Sequence, residues 1–358
     1  MPLRPLHFCL AVVAASCGSA AQADPLREAI NACLAAHPGP QQSAARLECY
    51  AAAESKAAAA EAPAPVAGAG DAGPSGSASP GGAPSHLEAL WRSDSPLSLK
   101  LHRQNYLLMT HTGRPNEAPR SGNPLNNVPH TFDLKQNEAK FQLSLKALVV
   151  DEKEFAPLGC GNSVWLGYTQ QSHWQIADVD RSRPFRESNY EPEMIFSHRI
   201  EPCSRLGALL PEPLGFVPRV LNVGLVHQSN GQSLPRSRSW NRAYAQLGME
   251  RPAGDGSVAI LVRPWVRLGD RVSGSDDNPD IGHFLGHGEV EMLYWGEKYL
   301  FSVLGRRRSA QFDLSVPLDS GNKSVQLHFQ YFTGYGESLI DYSQRHTTWG
   351  LGLSLPYR

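Results

Sequence analysis

What the sequence lacks narrows it first. Beyond Ala23 there is no run of about 18 apolar residues, so no transmembrane helix can be built. Neither sign of charge is in excess. Lys and Arg number 33 and Asp and Glu 34, a net charge of -1, which gives no electrostatic footprint for nucleic acid. Cysteine is scarce at six residues, with no CxxC pair and no Cys/His spacing suited to zinc. A mean hydropathy of -0.34 alone describes a soluble secreted protein.

The N-terminus supplies an address. Arg4 precedes the apolar run LHFCLAVVAA, and small residues follow to Ala21-Gln22-Ala23. That order is a secretory signal, expected over 1–23 and cleaved after Ala23. A lipobox around Cys17 fits poorly, because Ala14 stands where leucine is usual. Cys9 and Cys17 leave with the signal. In an oxidising compartment the remaining four suggest the local pairs Cys33–Cys49 and Cys160–Cys203. Residues 24–60 read as a helical hairpin. Residues 61–87 are rich in Ala, Gly, Pro and Ser and read as a linker unable to bury a core.

From residue 88 onward the signal is alternation. In KFQLSLKALVV, Phe141, Leu143, Leu145, Ala147 and Val149 alternate with Gln142, Ser144 and Lys146. Similar order recurs in SVQLHFQYF and in the C-terminal WGLGLSLPY. Period two means one apolar and one polar face. About twelve such segments of roughly ten residues, behind a secretory signal, predict an antiparallel transmembrane β-barrel over 88–358. The competing fold is a soluble β-sandwich. Its shorter strands fit less well, as does the number of large polar groups on the second face. Tyr106, Trp165, Trp265, Tyr294, Trp295 and Trp349 are candidates for an aromatic girdle. GRRRS at 305–309 reads as a charged turn.

One stretch carries chemistry. In VLNVGLVHQS, His227 and Ser229 share a face with Leu221, Val223 and Leu225, the face that meets lipid in a barrel. Same-face residues two apart lie about 6–7 Å apart at Cα, a span an imidazole can bridge to a serine hydroxyl. A hairpin centred near Pro235 sets Asn241 opposite Ser229 and diagonal to His227. Nucleophile, base and an orienting carboxamide then share one outward patch. With an even strand count both termini are periplasmic and the 230–239 connection is extracellular, near the ester bonds of outer-leaflet lipids. His-x-Ser by spacing alone is common, and polar residues at strand ends are ordinary.

The residues around it make the pattern specific. HQSNG…SRSWNR, FQLSL at 141–145, YTQQSHWQ at 168–175, PFRESNYEP at 184–192, DDNPDI at 276–281 and GYGESLIDY at 334–342 occur in one order. Together they resemble the bacterial outer-membrane phospholipase A family, over about 88–358. That resemblance implies a twelve-stranded barrel that hydrolyses acyl esters of phospholipids and lysophospholipids at both glycerol positions. The family uses calcium, rests as a monomer and acts as a homodimer. It further implies Ser229 as nucleophile, His227 as base, Asn241 as orienter and the Gly231 N–H as oxyanion donor. Calcium would be held by Ser237 and the carbonyl of Gln232 from one chain and Ser182 from the other. Asp277 resembles the monomer's ligand. The chain departs from the family at Gln232, where Arg is frequent, and at Leu234, where Asp is frequent. On β-strand 163–176, Gln170 falls on the lipid face, where an unsatisfied amide is costly, and a second copy would relieve it. The non-enzymatic alternatives are a small porin and an adhesin.

Overall fold

The computed structural model describes residues 85–92, 97–129, 133–151, 161–200, 210–269, 276–319 and 324–357, with 32, 33, 35, 36, 45, 49, 50 and 52 before them. The chain divides into two units, Met1–Pro80 and Gly81–Arg358. In the first, Cys33 and Cys49 are joined by a disulfide, their Cα atoms 5.8 Å apart. Cys160 and Cys203, the other pair expected from the sequence, lie outside the described residues.

The second unit is a closed antiparallel barrel. Its first strand comes in two pieces, β1 (Leu99–Leu101) and β2 (Tyr106–Thr112). Both pair with β3 (Asn137–Val150), with Leu101 opposite Leu145 and Tyr106 opposite Gln142. Ten further strands follow: β4 (Asn162–Trp174), β5 (Phe185–Arg199), β6 (Val217–Ser229), β7 (Ser239–Ala253), β8 (Gly256–Leu268), β9 (Gly288–Trp295), β10 (Leu300–Arg306), β11 (Ser309–Pro317), β12 (Gln326–Gly334) and β13 (His346–Ser354). Each pairs with its sequence neighbour, and β13 returns to β2, so no edge is left open. Counting β1 and β2 as one, the wall has twelve strands. By antiparallel order, β2, β4, β6, β8 and β12 end, and β3, β5, β7, β9 and β13 begin, at one end of the barrel, where Arg307–Arg308 forms a tight turn.

Parity decides which side each residue faces. On β13, Trp349, Leu351 and Leu353 are about half exposed, while Gly350 and Ser354 are buried. On β3, Leu143 and Val149 point out, while Ser144, Lys146 and Leu148 point in. The outward set forms an apolar belt, and its exposure is what a lipid solvent requires. Four of the six girdle candidates obey the same parity in the opposite sense. Tyr106, Trp165, Trp265 and Trp295 are each under 8% exposed and face the lumen. Their polar atoms find partners inside: Trp165 Nε1 donates to Ser163 Oγ at 2.8 Å and Trp295 Nε1 to the Tyr357 carbonyl at 2.9 Å. Trp349 is 49% exposed and remains on the outer face.

The lumen is filled. Arg186 bridges Glu138 at 2.6 Å and Asp341 at 2.7 Å, Lys140 pairs with Glu337 at 2.8 Å, and His102 with Glu193 at 2.6 Å. Arg103 pairs with Glu191, and Arg263 and Arg306 with Glu289. At the other end a six-residue helix, α1 (His86–Trp91), is inserted among Leu148, Trp165, Ile195, Val220 and Leu261. Glu250 receives its N-terminus: Ser85 Oγ at 2.5 Å, the His86 N–H at 3.1 Å and the Leu87 N–H at 3.0 Å. The Lys146 ammonium lies 3.3 Å from the Trp91 ring centroid, a cation–π contact. The remaining central cavity is about 180 Å³.

Candidate active site on the outer wall

β6 and β7 are the hairpin that builds the site. Their register places His227 directly opposite Asn241 and Ser229 opposite Ser239. The turn is therefore centred on Leu234, one residue earlier than the sequence suggests, so the expected Asn241–Ser229 facing is replaced by Asn241–His227. Gly224, inward on β6, keeps this pairing tight. A Cβ there would lie 2.4 Å from the ring of Tyr244, its partner across the hairpin.

The consequence is a direct bond. His227 Nδ1 and Asn241 Oδ1 are 2.8 Å apart. A carboxamide oxygen only accepts, so the imidazole donates from Nδ1 and leaves Nε2 as the basic nitrogen. His227 is exposed on the outer wall, Ser229 is half-buried two residues along, and Asn241 is half-buried opposite. Beside them runs an open groove of about 670 Å³ lined on its outer side by Leu166, Met194, Leu225 and Leu268. Its apolar lining suits a hydrocarbon chain.

The 230–238 connection is held from within. Asn230, unremarked in the sequence, is 3% exposed and accepts the Arg238 N–H at 2.9 Å and the Gln232 N–H at 3.3 Å on its Oδ1. Arg238 is fully buried and donates to the carbonyls of Ser237 at 2.7 Å and Asn126 at 2.8 Å. Gly231 has φ of +61°, the left-handed region where a side chain is strained.

The oxygen-rich residues named for calcium fall into two places. Ser237 Oγ donates to Asp277 Oδ2 at 2.7 Å, and Ser239 Oγ reaches the same oxygen at 3.2 Å. Asn126 Nδ2 donates to Asp277 Oδ1 at 3.1 Å. Gln232 is exposed on the same connection. Ser182 is exposed on the separate 175–184 connection, with φ of +58°. Ser239 and Asn126 join the group only through the tertiary fold, which no sequence spacing announces. Gln170 points outward on β4, but its amide is bonded along its own strand, from Tyr168 OH at 3.1 Å and to Ser172 Oγ at 3.2 Å. The desolvation argument for a second copy therefore loses its force.

A Ser-His-Asp set exists elsewhere. Ser315 Oγ lies 2.7 Å from His328 Nδ1, whose Nε2 lies 3.0 Å from Asp313. It faces the lumen, and Ser315 is 1% exposed. What separates the two sets is access: one opens to lipid and the other is sealed in the barrel.

A closed barrel with a lipid-compatible belt and polar interior defines an integral membrane protein of the bacterial outer-membrane type. Comparison with known proteins gives the family. The family model described as Phospholipase A1 matches residues 87–355. A phospholipase A1 of Klebsiella pneumoniae is 35% identical over 269 residues, covering 73% of this chain and 84% of that protein. The phospholipase A1 of Escherichia coli K12 is 34% identical over 272 residues, covering 74% and 84%. A homologue in Neisseria meningitidis is 36% identical, and this chain spans 65% of its length. Outer membrane phospholipase A from Escherichia coli superimposes with a TM-score of 0.61 at 31% identity, over 76% of this chain and 96% of that one. The same values of TM-score and identity hold for a Salmonella typhi outer membrane phospholipase dimer with bound calcium. The chain belongs to the phospholipase A1 family and is a protein of the bacterial outer membrane.

Proposed function

We propose that the protein is a calcium-dependent serine hydrolase that cleaves acyl esters of membrane phospholipids and lysophospholipids. The observation that carries this reading is the 2.8 Å His227–Asn241 bond on the lipid-facing wall beside Ser229. Asn241 fixes the imidazole with Nε2 free. That nitrogen takes the Ser229 proton as Oγ attacks the ester carbonyl, and the Gly231 N–H faces the developing oxyanion. His227 then returns the proton to the departing glycerol oxygen. Water, activated by the same nitrogen, releases the fatty acid.

The donors near Asp277 fit calcium. They are carboxylate, hydroxyl and carbonyl oxygens, the hard ligands this ion takes. Asn126 Oδ1, buried nearby, has no hydrogen-bond partner among the described residues. Among those residues no group of three His, Cys, Asp or Glu is gathered, which favours modest affinity. Ser237, the Gln232 carbonyl and Asp277 would hold the ion, with Ser182 of a second copy completing the shell. Bound there, calcium supplies positive charge for the oxyanion. The Salmonella typhi neighbour, a dimer with bound calcium, supports a homodimeric active form, and a monomeric resting form is part of the same proposal. Gln170 would lie in the contact.

The porin alternative is disfavoured by the lumen, where ion pairs and α1 leave a cavity of about 180 Å³. The test compares purified wild type and Ser229→Ala in phospholipid micelles, with calcium or chelator. Hydrolysis should vanish in the variant while heat-modifiable gel mobility persists, and chelation should silence the wild type. Cleavage by Ser229→Ala sinks the triad, and full activity in chelator sinks the calcium dependence.

A further inference from the structure

Glu187 is the third residue of β5, and its side chain is fully buried. Its partners are neutral N–H groups. Oε1 accepts from Asn189 Nδ2 at 2.7 Å and from the Ile340 N–H at 3.1 Å, and Oε2 accepts from Asn230 Nδ2 at 3.3 Å. The neighbouring Arg186 is committed elsewhere, to Glu138 and Asp341. A carboxyl group held out of water with no ion pair among the described residues is expensive. The pocket formed by Asn189, Ile340 and Asn230 is built for an acceptor on both oxygens, which packing alone does not require.

Asn230 supplies the reason. This residue stands between Ser229 and Gly231, and its N–H and both side-chain polar atoms are engaged. Its N–H donates to the Arg238 carbonyl at 3.0 Å. Its Oδ1 accepts from Arg238 and Gln232, and its Nδ2 donates to the Arg236 carbonyl at 2.8 Å and to Glu187. The asparagine ties both ends of the 230–238 connection together. Glu187 then ties the asparagine to the barrel wall and to the 335–345 connection.

We propose that Glu187, acting through Asn230, is a positioning residue for the Ser229 hydroxyl and the Gly231 N–H; this rests on the roles assigned to those two residues above. The chemistry is acceptor-specific. In Glu187→Gln the oxygen stays with Asn189 and Ile340, so the new Nε2 meets the Asn230 Nδ2, donor against donor. Asn230 cannot turn over, because its Oδ1 already holds two backbone N–H groups. The connection must shift, and with it the nucleophile and the oxyanion donor.

The experiment measures micellar hydrolysis, and the rate at which a sulfonyl fluoride labels Ser229, in wild type, Glu187→Gln, Asn230→Ala, the double variant and Ser229→Ala. In Glu187→Gln, kcat should fall about ten- to hundredfold with KM nearly unchanged, and labelling per folded barrel should slow in parallel. The double variant should be no slower than Asn230→Ala, since both act along one path. Wild-type kcat in Glu187→Gln, or losses that multiply in the double variant, overturns the positioning role. Loss of barrel without slower labelling per folded molecule also overturns it, showing Glu187 to be structural. If Glu187→Gln fails to assemble, an unchanged kcat in Asn230→Ala overturns the proposal by itself. A Ser229→Ala protein that still hydrolyses lipid instead brings down the triad reading beneath it.

Discussion

Replacing Asn241 with Ala removes one hydrogen bond and nothing of the core. The bond is neutral, 2.8 Å long and on the outer wall, with His227 exposed and Asn241 half-buried. A bond of this kind contributes about 1 kcal/mol net, a factor of roughly five in the population of the oriented ring. Losing it also frees the tautomer that leaves Nε2 basic. The expected fall in kcat is therefore about five- to twentyfold, with KM near wild type, because the interaction serves the transition state rather than lipid binding. Barrel stability in urea should be unaffected. Asn241→Asp adds a diagnostic. A carboxylate keeps an acceptor in the same place, so the kcat of Asn241→Asp should stay above that of Asn241→Ala. Initial rates on a fluorescent phospholipid in mixed micelles, from pH 5 to 9, measure both. If Asn241→Ala stays within twofold of wild type, Asn241 does not orient the base.

Three further outcomes follow from geometry. Ser315→Ala should leave hydrolysis at the wild-type rate, since its hydroxyl is sealed in the lumen, and a large loss would relocate the chemistry. Leu351→Arg, on the lipid face of β13, should destabilise the barrel by about 2–4 kcal/mol in bilayer urea titrations. Asp341 carries a pH signature. Burial alone would raise its carboxyl, but the Arg186 guanidinium at 2.7 Å and the Ser338 hydroxyl hold it below the ordinary range. A depressed folded value means the stabilisation is full above the unfolded value of about 4 and is lost as pH falls through the folded one. Wild-type stability should therefore drop below about pH 4, and Asp341→Asn should flatten that drop; equal slopes for the two proteins would refute the pairing.

The wall was legible because lipid outside and a packed polar lumen force strict alternation. β6 and β8 begin and end where the alternation does, at 217–229 and 256–268. β5 begins at Phe185 rather than near 192, because its first residues carry polar groups on both faces: Arg186, Glu187 and Asn189 inward, Ser188 outward. Where a strand leaves the apolar belt the signal stops although the hydrogen bonds continue. α1 escaped notice for a related reason, since six residues are too few to show a helical period. The common face of His227, Ser229 and Asn241 was legible from parity, but which of them stand opposite one another depended on the turn centre, which spacing alone does not fix. Asn230, Ser239 and Asn126 matter through contacts made by distant connections, and nothing local in their neighbourhoods records that.

The groove beside His227 opens sideways, into the medium that dissolves the protein. An enzyme built this way swims in its own reactant, at a concentration set by the composition of the leaflet and not by supply. Its rate is properly a function of mole fraction in the surface, and dilution into water changes nothing. Restraint then cannot come from scarcity of fuel. On the function proposed above, it comes from a calcium shell that stays incomplete until a second copy supplies Ser182.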